Sequence, residues 1–148
     1  EARNTIGAIS RGATAAYERE LALPTSPNIA THVLCKSSTT VPATVPRGVA
    51  FQPQPGDFDS GDTTTGWRCL KFGLTQPFRY QYAYRAGGNY KGPARGLPDP
   101  GPKGFEVSAE GDLDGDGKTS LFTRVGRVDP ASGNLRVDAQ IYVADELE

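Results

Sequence analysis

The sequence predicts an α+β domain in which one N-terminal helix packs on a roughly four-stranded antiparallel sheet. Three observations predict it. Apolar residues in the first twenty positions recur at helical spacing, and from residue 67 onward they alternate with polar ones. The stretch between shows neither period and carries six prolines (Pro24, Pro27, Pro42, Pro46, Pro53 and Pro55). The whole chain therefore divides as one domain into a helix over 1–22, a loop over 23–66 and a sheet over 67–148. A sheet with one apolar face needs a cover, and the helix is the element able to supply it.

In the helix, Ile6, Ile9, Ala13 and Ala16 form one stripe, with Arg3, Arg11 and Arg19 elsewhere. This stripe is expected against Tyr80, Tyr82 and the last strand. Leu23-Pro24 is the expected stop, because proline lacks the amide proton and crowds the preceding turn. No Ser, Thr, Asp or Asn precedes the first apolar residue, so the helix is expected to continue upstream of Glu1. Gly7 and Gly12 each cost about 1 kcal/mol relative to Ala in a helix interior. Together with Ile6, Ile9, Ala13 and Ala16 they are the candidate packing and assembly residues, glycine being either selected for close approach or merely tolerated.

At 148 residues there is room for one modest core, burying roughly 70% of the unfolded chain's surface. Sixteen basic and seventeen acidic residues nearly cancel, which argues against nucleic acid or an anionic membrane as partner. Glycine (18) and proline (12) fall short of the level that signals disorder but predict long loops. Cys35 and Cys69 lie outside any CxxC or CxxH context, which favours a disulfide and an oxidising compartment over zinc. The alternative is a pair of buried thiols in a cytosolic protein.

Beyond the loop, Leu70, Phe72 and Leu74 predict a first strand over 68–74, and Ala30 to Leu34 a short edge strand. Phe78, Tyr80, Tyr82 and Tyr84 alternate with Arg79, Gln81 and Arg85. Residues 87–104 hold ten Gly or Pro and read as a loop. Phe105, Val107 and Ala109 then alternate with Glu106, Ser108 and Glu110, followed by Leu121, Thr123 and Val125. Leu135, Val137, Ala139, Ile141 and Val143 form a last strand, preceded by the hairpin signal DPASGN at 129–134.

The one stretch with chemistry is GDLDGDGKTS. Asp112, Asp114 and Asp116 at alternate positions, with Gly115 and Gly117, let a tight turn converge hard oxygen donors as calcium requires. Position 12 of such a loop falls on Thr123 inside a strand, so the EF-hand glutamate is missing and that fold is excluded. Ser120 is a candidate fourth ligand. The competing reading is a hairpin turn whose Asp and Gly residues bond to their own backbone.

The segments EARNTIGAISRGATAAYERE and GWRCLKFGL, with the run AEGDLDGDGKTSLFTR, resemble the globular region of a type IV pilin or type II secretion pseudopilin, myxobacterial or deltaproteobacterial in character. The resemblance implies a structural subunit of a cell-surface (extracellular) or periplasmic filament. It further implies other pilin subunits and the pilus or secretion assembly machinery as partners, and inner-membrane anchoring before assembly through a hydrophobic segment upstream. Catalysis is not expected. His32 is a lone histidine without a GxSxG or HExxH context, and Glu106 with Glu110 shares a strand face without an argued cleft. The competing function is a secreted calcium- or carbohydrate-binding module, with Trp67, Tyr80, Tyr82 and Tyr84 as a stacking platform for sugar.

Overall fold

The computed structural model describes residues 1–19, 21–23 and 26–146, with the side chains from 21 to 31 outside that description. Helix α1 spans Ala2–Glu18, β1 Leu21–Leu23, β2 Ser26–Thr31, α2 Gly66–Leu70, β3 Tyr80–Ala86, β4 Gly104–Gly111, β5 Ser120–Val128, β6 Leu135–Val137 and β7 Tyr142–Ala144. The class is α+β. Strands β3, β4, β5 and β6 form an antiparallel meander, with β7 also on β5, and β1 pairs β2 separately. Among the described residues no helix is long and apolar enough to cross a membrane.

The α1 stripe is buried as its spacing predicts: Ile6, Ile9, Ala13 and Ala16 share one cluster with Tyr82, Tyr84, Phe105, Val107, Ala109 and Phe122. Glu1 has no capping bond to the helix; its Oε2 accepts from the Arg79 amide (3.1 Å) and the Tyr82 hydroxyl (2.9 Å), tying the helix start to β3. The helix ends at Glu18 rather than 22. Arg19 is extended (φ −70°, ψ 135°) and the chain enters the β1–β2 hairpin, whose ladder takes the next backbone groups. His32 Nδ1 lies 2.8 Å from the Tyr17 carbonyl, so the lone histidine closes the helix end. The expected stop at Pro24 lies outside the described residues, and the edge strand expected at 30–34 coincides with strand only at Ala30 and Thr31, the end of β2, which begins at Ser26.

The strand expected over 68–74 is instead the single helical turn α2. A strand would put Trp67 and Leu70 on opposite faces, whereas one turn of helix buries Trp67, Cys69 and Leu70 together and leaves Arg68 exposed. Lys71 closes the turn in the left-handed conformation (φ 53°). Cys69 is bonded to Cys35, so the disulfide pins the connection to α2. The carbonyls that α2 leaves unpaired turn to α1. Arg19 donates to the Cys69 oxygen at 2.9 Å, and the Leu70 oxygen lies 2.6 Å from where a Cβ on Gly12 would sit.

The connection expected as a loop over 23–66 carries the last residue of β1, all of β2 and the first residue of α2. Within its remaining stretch, 32–65, the part from Ser37 to Phe51 runs along the outer edge of β3 and of the residues just before it. Val41 exchanges both backbone bonds with Tyr82 and Phe51 both with Phe78, while Ser38 donates its amide to the Tyr84 carbonyl. Ser37 and Ser38 hydroxyls accept the Ala86 and Tyr84 amides. An edge that would otherwise offer unpaired groups to another chain is thereby occupied. Phe58, from the same stretch, stacks edge-on to Trp67 (5.0 Å) and Phe72 (5.6 Å).

Register fixes two faces. Tyr82, Ala109 and Phe122 are mutual partners on the α1 side, so Leu121, Thr123 and Val125 face away from the helix, beside Glu110, Ser108 and Glu106. The expectation of a single apolar face with a solvated reverse is therefore corrected, since all eight residues of β4 are buried. The 129–134 hairpin forms, with Gly133 and Asp129 bonded at 2.7 Å and Val128 opposite Leu135. The last strand is interrupted at 138–141, where four residues oppose two of β5. Because the insertion is two residues, Leu135, Val137, Ile141 and Val143 stay in phase against the core, while Ala139 bulges into solvent.

Gly12→Ala is expected to destabilise by about 1–3 kcal/mol, because its methyl meets a backbone oxygen that α2 cannot withdraw. Gly7→Ala, whose Cβ would meet only the end of Arg11 at 3.5 Å, should gain up to about 1 kcal/mol of helix propensity. Urea unfolding of both variants checks the contrast. Replacing both cysteines by Ala should cost about 4 kcal/mol for a crosslink spanning 34 positions, read by the same unfolding.

Candidate metal centre and the polar face of the sheet

Strands β4 and β5 are joined by the turn 112–119, and the ladder that ends at Gly111 opposite Ser120 places the three aspartates at its mouth. Asp112, Asp114 and Asp116 each bring one carboxylate oxygen within 4.8 Å of the others. Gly115 (φ 76°) and Gly117 (φ 93°) supply the left-handed backbone that folds the turn back on itself. Asp114 Oδ1 accepts the Asp116 amide at 3.1 Å and Asp116 Oδ1 the Lys118 amide at 2.8 Å. These two side chains are exposed.

Asp112 differs from both in being only 1% exposed. Its Oδ2 accepts the Gly117 amide at 2.9 Å and lies 3.5 Å from Arg47 Nε, while its Oδ1 is buried with no hydrogen-bond partner. Burial pushes this carboxyl up, but the Gly117 amide, the neighbouring Asp114 side chain, the Gly115 amide and, least of these, the Arg47 guanidinium outweigh it and hold it below the usual carboxylate range. The Asp112 carbonyl accepts the Gly48 amide at 2.9 Å, so the edge-covering stretch reaches the turn here. A cavity of about 290 Å³ lined by Thr44, Val45, Arg47, Asp112, Gly117 and Thr119 opens on the site. Ser120 directs its hydroxyl to the Gly111 carbonyl at 3.5 Å, and Thr123 lies within β5 on the face away from α1.

That second face carries its own polar cluster, built by the glycine- and proline-rich stretch 87–104, which includes a short 3-10 turn at Pro93–Arg95. Glu106, fully buried, accepts the Lys91 amide at 2.9 Å and the Gly92 amide at 2.8 Å, with Arg85 3.7 Å away. Glu110 meets the Lys91 ammonium, the Thr119 hydroxyl at 2.8 Å and Arg95 at 3.6 Å. Sequence alternation places both glutamates outward; the basic residues Lys91 and Arg95 in the preceding loop are the signal that Glu110 has partners, whereas Glu106 takes backbone amides of that loop. Arg47 has no such signal, being 65 positions from Asp112.

The other candidate residues fall in the core. Trp67, Tyr82 and Tyr84 are buried, and only Tyr80 is partly open, so these rings form no surface platform for a sugar. Ile6, Gly7, Ile9, Ala13 and Ala16 are buried and Gly12 is half-buried, all within this one chain. Comparison with protein-family models, with curated proteins and with solved structures finds no match to the chain.

Burial raises the Glu110 carboxyl, but Lys91, Thr119 and Arg95 lower it further. A folded-state pKa below the unfolded one contributes stability that is complete above the ordinary carboxylate range and is lost as pH falls through the folded value. Glu110→Gln is therefore expected to lower Tm at pH about 7 and to flatten the loss of Tm between about pH 5 and 3. Thermal melts across that range compare the two slopes.

Proposed function

We propose that this domain is the globular head of a filament subunit of the type IV pilin or type II secretion pseudopilin kind, exposed at the cell surface or in the periplasm. Its partners are further copies of itself and the assembly machinery. The observation that carries the reading is α1 laid across an antiparallel meander with one side buried and Arg3, Asn4, Arg11, Ala15 and Glu18 exposed on the other. A helix held this way is a rigid spine with a free outer side for neighbouring subunits. Two further features support it. The disulfide suits an oxidising compartment, and the covered edge of β3 suppresses uncontrolled strand pairing at the high local concentration of a polymer.

Labelling sheared surface material with an antibody raised against the domain, under the electron microscope, tests this reading. Filaments decorated along their length are expected. Label confined to soluble secreted protein, together with a plain cleaved secretory signal encoded upstream of Glu1, would overturn it.

A further inference from the structure

The stretch 87–104 lies on the sheet without joining its ladder. We propose that it is a lid, opening as one unit about glycines near its two ends and so gating the polar face that holds Glu106 and Glu110. Its ends are drawn together where the Gly87 amide donates to the Gly104 carbonyl at 3.1 Å, the closed neck of an Ω-loop. Among the described residues no backbone-to-backbone bond joins 88–102 to a strand. The backbone bonds it makes are internal, from the Arg95 and Leu97 amides to the Gly92 carbonyl and from the Gly96 amide to the Pro93 carbonyl. Its attachment to the sheet runs through side chains instead. Glu106 takes the Lys91 and Gly92 amides, and Glu110 meets Lys91 and Arg95. Arg95 also donates to the Thr119 carbonyl at 2.6 Å and to Asp145 at 2.7 Å.

A segment attached in this way can leave without breaking a ladder, which is what makes a local opening distinct from global unfolding. Gly88 (φ 138°) and Gly101 (φ 80°) have positive φ and open space where a Cβ would sit, so both can turn without meeting a neighbour. What lies beneath lowers the cost of opening. A Cβ on Gly92 would lie 3.0 Å from Glu106 Oε2 and 3.6 Å from Thr123 Cγ2, so the lid rests on a carboxylate and a threonine. The Thr123 hydroxyl is buried with no partner. Opening lets water solvate both glutamates and supply the bond that Thr123 lacks. Leu121 and Val125 share that face, and their exposure is the apolar part of the cost.

Amide exchange of the full chain, followed residue by residue by NMR, tests the proposal. The Lys91, Gly92, Arg95, Gly96 and Leu97 amides report the lid, and those of the β4–β5 ladder report global unfolding. The five lid amides are expected to share one degree of protection, at least about tenfold below that of the ladder. Two variants separate local from global opening. Gly12→Ala weakens the α1–α2 contact, which an open lid leaves intact; it should speed ladder exchange about fivefold or more and leave the five lid amides unchanged. Gly92→Ala sets a methyl against Glu106 and Leu97, and should speed the five together by about tenfold. Lid amides that follow the ladder in Gly12→Ala, five unequal degrees of protection, or no response to Gly92→Ala would each overturn the proposal.

Discussion

Each central strand of the sheet has two faces and α1 can cover only one, so irregular backbone must cover the other and also the edge of β3. That constraint organises the polar residues of the domain. A helix brings its own hydrogen bonds to a core, whereas a loop laid on a sheet brings unpaired amides and carbonyls that must find partners there. Glu106 is one answer: buried in the middle of β4, it receives two consecutive loop amides, from Lys91 and Gly92. Gln81 is another, its side-chain amide donating to the Pro42 and Ala43 carbonyls at 3.1 and 3.0 Å. Ser37 and Ser38 do the same at the edge of β3. These charges and amides lie where an all-apolar sheet face would have nothing to offer the loops.

The covering also decides where the hydrophobic core extends. On the α1 side it is continuous from Ala2 to Val143. It then passes around the edge of β3 into an aromatic group of Phe51, Phe58, Trp67, Phe72 and Phe78. Phe51 and Phe58 come from the connection, so the stretch with the least regular structure supplies part of the core. The disulfide and the Trp67 indole bond to Thr39 at 3.2 Å fix that stretch to α2 at two points. Crosslinking of this kind offsets the entropy of ordering a long loop, which hydrophobic burial alone meets poorly in a small domain.

What was legible in the sequence follows from which signals are local. The α1 stripe, the alternation of β3 and β4 and the 129–134 hairpin are periodic or turn-specific, and each stands in the structure where the sequence places it. Two misreadings come from alternation, which gives neither the phase of a strand nor proof that a short stretch is one. Leu121, Thr123 and Val125 alternate as a buried strand should, yet the parity of the β4–β5 turn puts them with the glutamates and gives Phe122 to the helix. Leu70, Phe72 and Leu74 alternate too, but α2 forms because Trp67 and Leu70 must be buried together beside a bonded Cys69. The partners of Glu106 and Asp112 are out of sequence reach, because they are set by where loops land.

Asp112 is the point at which these covering segments and the aspartate turn meet. Its carbonyl holds the Gly48 amide, its buried carboxylate draws Arg47, and Glu110, two residues earlier on β4, holds Thr119 from the far side of the same turn. The 41–51 stretch and the 112–119 turn therefore constrain one another chiefly through Asp112, with Arg47 also donating to the Gly115 carbonyl at 3.4 Å.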